Sequence, residues 1–150
     1  MLRPFLMGLV AGQRSMTPLA ALASAARRGA LPDTTNPGAK LMAQPLIVAG
    51  AVALAAGEMA GDKMKTAPDR IAPLGLAARA ITASFAGYTL APREQRLAGA
   101  VVCAATALAA SYVGWSLRMR ALRRWGQTPT GFAEEAIVLP AAWAIADAKP

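Results

Sequence analysis

Histidine is absent from this 150-residue chain, and cysteine occurs once, as Cys103. One cysteine excludes a disulfide within a single chain, and the lack of histidine leaves a Cys/His zinc site without ligands. Cys103 reads as a small packing residue, and no metal or cofactor site is expected. Aromatic residues are also scarce, at 5%. A nucleic-acid surface calls for basic residues interleaved with aromatics, so the net charge of +8 does not indicate a nucleic-acid partner. Acidic residues number 8 against 16 Lys and Arg. The few acids therefore stand out.

Apolar residues are plentiful: they make up 55% of the chain, much of it alanine. Alanine is nearly neutral in transfer to a membrane, so each apolar segment is only marginally greasy, and a soluble Ala-rich bundle is the rival reading. The stretch Leu97 to Leu117, "LAGAVVCAATALAASYVGWSL", decides between them. It carries no charge and no polar stripe of the kind that a soluble amphipathic helix shows. Its length suits a hydrocarbon core about 30 Å thick. The length of the chain fits a single domain covering residues 1–150. The first thirty residues superficially resemble a signal peptide, with "ALASA" at 21–25, but Gln13 and Arg14 interrupt the apolar region and no cleavage is expected.

The pattern predicts five helical segments: Pro4 to Ala26, Leu41 to Asp62, Ala72 to Leu90, the charge-free span, and a last segment from Glu135 to Asp147 with only 11 uncharged residues and Pro140 inside. "RMRALRRWGQTPTG" reads as a basic amphipathic connector between the last two. The expectation is an all-α, polytopic transmembrane helical bundle with four full spans plus a short fifth helix, multi-pass in a cell (inner) membrane. The lipid bilayer is the first partner. Basic clusters beside the apolar segments set topology and touch anionic headgroups. Eight Lys and Arg fall on the N-terminal side and six on the other, which leans toward a cytoplasmic N-terminus.

Two segments look alike. "GLVAGQRSMTP" from Gly8 and "GEMAGDKMKTAP" from Gly57 both begin with small-xxx-small spacing, Gly8/Gly12 and Gly57/Gly61. Such spacing lets helix backbones approach closely, within one chain or between two copies in a homodimer. Each segment then places a cation, Arg14 or Lys63, and breaks at a proline. An inverted or broken-helix repeat is one reading of the pair; chance agreement in a Gly/Ala-rich chain is the other. Ionisable residues fall within or at the ends of apolar segments: Arg14, Glu58, Asp62, Lys63, Arg79, Glu134 and Glu135. A charge at a helix centre costs about 2.5–3.5 kcal/mol on insertion scales. These groups are therefore expected to meet in one interior cluster, with Arg14 paired to Glu58 or Asp62. Ser15 and Thr17 are expected to satisfy backbone groups freed by Pro18.

"GQRSMTPLAAL", "GEMAGDK", "APDR" and "GLAAR", in this order over most of the chain, resemble a bacterial family of small membrane proteins, domain of unknown function 4126. The resemblance implies an Arg-Ser-Met-Thr-Pro core at Arg14 to Pro18, an acid at Glu58, the pair Asp62 and Lys63, and the acidic pair Glu134 and Glu135. Gln13 stands where the pattern has leucine, and Met64 where it has proline. The family implies a polytopic membrane protein and supplies no activity.

Three functions fit these residues. Intramembrane ionisable groups mark an ion, proton or substrate path by default, so the first is a small transporter or channel-like protein for an unknown small polar or ionic substrate. The second is a structural or assembly protein whose ion pairs only fix helix register. The third is a lipid-phosphate enzyme with Asp62 and Asp69 on a metal and Arg70 and Arg79 on the phosphate. It lacks an activated nucleophile, so a non-enzyme is expected.

Overall fold

The computed structural model describes residues 1–64 and 71–148, and among them every regular element is helical. The helices are α1 (Leu2–Gln13), α2 (Thr17–Arg27), α3 (Pro37–Met42), α4 (Pro45–Gly61), α5 (Pro73–Leu90), α6 (Arg96–Trp125) and α7 (Gln127–Asp147), with a short 3-10 turn, Arg93–Gln95, before α6. Proline starts most of them. Pro18, Pro37, Pro45 and Pro73 sit in the first two positions of α2 to α5, where the missing N–H has no helical partner to lose.

The expectation of four full spans is corrected. Among the described residues, only the segment Arg93–Trp125 is long and apolar enough to cross a membrane by itself. The second expected span begins at Pro45 instead of Leu41, because Leu41 belongs to the short α3. That leaves α4 at 17 residues. The expected connector after Leu117 is helix instead: Leu, Arg, Met and Ala favour helix, and α6 continues to Trp125, ending at Gly126 with φ 82°. The last segment is also longer than expected, a 21-residue α7, since its Glu135 is buried against protein.

The first expected span shows the largest departure. A continuous helix would need the Pro18 N–H for the carbonyl of Arg14, and the proline ring would strike that carbonyl. The chain instead turns extended at Arg14 (φ −141°, ψ 117°) and restarts as α2. The two pieces form a hairpin whose open ends meet the last turn of α7. Arg3 Nε and Nη2 donate to the carbonyls of Ile145 and Ala146 at 3.1 and 2.8 Å. Arg28 Nη2 donates to both oxygens of Asp147 at 2.7 and 2.8 Å. Arg3 therefore lies at the same end as Arg28, and the count of eight against six, which put them on opposite sides, does not hold.

Small residues set the packing. A Cβ on Gly8 would lie 2.6 Å from the carbonyl of Cys103, and one on Gly12 2.6 Å from Ala110 Cβ, so α1 rests backbone-close on α6. Ser111 Oγ donates to the carbonyl of Gly12 at 3.2 Å across this contact. Gly87 and Gly99 play the same part between α5 and α6. Met7, Leu22 and Leu90 join alanines in the core, but many other large apolar side chains point outward: Leu74 is 85% exposed, Leu46 82% and Leu97 78%, while Arg14 is 1% exposed.

Candidate functional site

The chain break at Arg14 places its guanidinium at the tip of the α1–α2 hairpin, facing the end of α4 and the first half of α7. Arg14 Nη1 lies 3.1 Å from Asp62 Oδ2, and Nη2 donates to Glu135 Oε1 at 3.2 Å. Glu134 Oε1 is 3.9 Å from Nε. Lys63 Nζ donates to the same Glu135 Oε1 at 2.7 Å and to Oε2 at 2.9 Å, and sits 4.5 Å from the centre of the Phe132 ring. The cations of the two look-alike segments thus converge on one carboxylate oxygen.

Glu58 does a different job from the one expected. Its carboxylate accepts from the Ser15 and Met16 backbone N–H groups, each at 2.8 Å, and from Ser15 Oγ at 2.6 Å. The start of α2 has no capping side chain of its own. Glu58 satisfies its orphan donors and faces the positive end of the helix dipole. Of the two acids expected to pair with Arg14, the structure selects Asp62, and adds Glu135. The Ser15 hydroxyl serves Glu58 and not the backbone freed by Pro18. Thr17 Oγ1 is buried and has no hydrogen-bond partner among the described residues.

Arg118 is the member that the sequence pattern hid. Its Nη1 lies 2.9 Å from Asp62 Oδ2 and donates to Glu134 Oε2 at 2.8 Å, and its Nη2 donates to the Asp62 carbonyl at 3.3 Å. Gln127 Nε2 adds bonds to the carbonyls of Asp62 and Met64 at 3.0 and 2.9 Å. Arg118 had been grouped with the basic connector because it follows the charge-free run. A usable signal was its place on the buried stripe Gly99, Cys103, Ala107, Ser111, Gly114, Arg118, which keeps helical spacing throughout. Gln13 is the other omission: its Nε2 donates to the Ala110 carbonyl at 3.1 Å, and its side chain lies over Gly114, where no Cβ intervenes.

The cluster therefore joins Arg14, Ser15, Glu58, Asp62, Lys63, Arg118, Glu134 and Glu135, from α1, α4, α6, α7 and the turns beside them. Arg79 is buried on α5. Arg70, and the Asp69 of the enzyme reading, lie outside the described residues. Along α6 the cluster is level with Gly114 to Arg118, some 18 residues or about 27 Å beyond Arg96. It lies toward one end of the apolar segment, not at its middle as expected from the position of Arg14 in sequence. Gly57 and Gly61 do not pack against the described residues: among these, a Cβ on either meets nothing within 4 Å. Gly8 and Gly12 are engaged by α6, so of the two faces offered to a second copy only that of α4 stays open.

No family profile, curated protein or solved structure matches this chain. The resemblance to domain of unknown function 4126 rests on its motifs alone.

Proposed function

We propose that this chain is an integral membrane protein that moves a proton or a small ion past its interior charge cluster. In this reading α6 crosses the bilayer, α5 and α7 stand beside it, and α1–α2 is a re-entrant hairpin with Arg14 at its tip. The observation that carries the reading is a set of ion pairs enclosed by helices whose large apolar side chains face outward, Leu46, Leu74 and Leu97 above all. Membrane proteins use broken helices in this way, with freed helix ends aimed at the bound group.

Glu135 is the pivot. It holds Arg14 and Lys63 at one oxygen, so loss of its charge weakens both contacts together and releases Lys63, while Arg14 keeps Asp62. The enzyme reading loses support, because Asp62, its metal ligand, is engaged by Arg14 and Arg118. The scaffold reading keeps a specific observation in its favour: Arg14 ties α4 to α7, as a register-fixing residue would.

The test is proton flux into vesicles carrying the full chain and a pH-sensitive dye, driven by an imposed potential. Flux should exceed that of empty vesicles and fall severalfold in Glu135→Gln at unchanged helix content. Equal flux in parent and Glu135→Gln, or none above empty vesicles, would leave the scaffold reading. Extraction at alkaline pH checks the membrane assignment separately: the protein should stay with the membrane fraction.

A further inference from the structure

A groove of about 810 Å³ runs along the outside of the bundle between α1, α6 and α7. It exists because α6 and α7, joined at Gly126, diverge, and because Ala109, Gly114 and Ala133 leave its floor without bulk. Phe5, Leu9, Val113, Leu117 and Ile137 form its walls, and Arg118 and Glu134 close its inner side. Its volume is within the range of about 300–1,000 Å³ common for ligand sites. From Leu117 to Ala105 it follows α6 for about 18 Å. One leaflet of the hydrocarbon core is about 15 Å deep, so the apolar part has the reach of one acyl chain.

The groove continues past Ala121, Thr130 and Ala133 into a smaller hollow, about 360 Å³, bounded by Trp125 and Pro129. At this end the charge changes. Arg120 and Arg124 follow Leu117 by three and seven residues and so share its face of the helix. Both are exposed, and among the described residues neither makes an ion pair. Arg124 lies 5.6 Å from the Trp125 ring centre. Arg123 points to another face. Arg118, by contrast, is already neutralised by Asp62 and Glu134.

We propose that this groove is a binding site for one anionic phospholipid, its acyl chain along Leu117, Val113 and Leu9 and its phosphate held by Arg120 and Arg124. Charge complementarity selects the occupant: an apolar slot alone accepts any lipid chain, but two unpaired arginines beside an interfacial tryptophan favour a negative headgroup. The inference rests on the membrane reading above. A lipid seated here also lies against Glu134 and Arg118, so its presence would bear on the cluster from the lipid side.

The test uses the full chain with Trp115→Phe and Trp143→Phe, leaving Trp125 as the only fluorophore of its kind. It is reconstituted into vesicles of fixed phosphatidylglycerol and phosphatidylcholine content, with bromine on the acyl chains of one lipid or the other. Brominated phosphatidylglycerol should quench Trp125 preferentially. Arg120→Gln and Arg124→Gln should each lower that preference about fivefold, and Arg123→Gln should leave it nearly unchanged. Equal quenching by both lipids overturns the lipid site while leaving the membrane reading intact. So does an equal effect of Arg123→Gln, which would mean diffuse attraction to the surface. Quenching by neither lipid overturns the site as well; alkaline extraction then shows whether a second copy fills the groove of an embedded protein or the protein is not embedded.

Discussion

The segments from Gly8 and from Gly57 share a glycine pair, a cation and a proline break, yet the fold uses them differently. Gly8 and Gly12 are pressed on α6, whereas Gly57 and Gly61 touch none of the described residues across the helix surface. Arg14 is enclosed and bridges Asp62 and Glu135; the Lys63 side chain is 25% exposed and, among the described residues, pairs with one acid, Glu135. A small-xxx-small pattern permits close approach but does not name the partner. What the two segments do share is the acid on which their cations meet.

The largest test of this contrast is at the cations. Arg14→Ala leaves Asp62 and Glu135 short of a buried partner and should cost about 3–5 kcal/mol, seen as lost expression or a lower melting temperature in detergent. Lys63→Ala exposes a site that water can reach and should cost about 1 kcal/mol. Adding Asp62→Asn to Arg14→Ala should recover part of the loss. Equal costs for the two alanine variants would mean that the two cations are equivalent, and the asymmetry described here would fail.

The glycines come next. Gly12→Ala puts a Cβ within 2.7 Å of the Ala107 carbonyl, a backbone atom that cannot swing away, and should destabilise by about 1–3 kcal/mol. Gly57→Ala meets no neighbour and should be neutral or stabilising by up to about 1 kcal/mol, through helix propensity. Thermal unfolding of the two variants side by side reads the difference. A destabilising Gly57→Ala would show that something beyond the described residues, such as a second copy, covers α4.

The smallest effect is expected away from both segments. The Asp33 carboxyl is held below the usual carboxylate range, first by hydrogen bonds from Thr35 and then by Arg96, which pairs with it. A lowered native pKa means that its contribution is present above the ordinary carboxylate pKa of about 4 and disappears as pH falls through the lower native value. Melting temperature followed from pH 6 to pH 3 should therefore fall slightly less steeply in Asp33→Asn than in the parent. An identical acid limb would remove Asp33 from the account.

Much of the fold was readable without tertiary information. The charge-free run from Leu97 identifies α6, and the apolar segments ending at Asp62 and Leu90 anticipate α4 and α5. The starts of α2, beside Pro18, and of α3, at Pro37, fall instead inside an expected span and an expected connector. The acids and cations expected to collect in the interior largely do so, because charges in apolar helices have few other places to go. The sequence also contained the break at Pro18, but not its consequence. A proline sets where a helix stops and says nothing of the direction in which the next one leaves, so only the structure turned one expected span into a hairpin. Partner choice was hidden for a related reason. Arg14 and Glu135 are 121 positions apart, and Arg118 enters the cluster only because α6 runs beyond its apolar portion and α4 ends beside it. Local backbone chemistry determined the helices; the distances among four separate chain segments decided which charges meet.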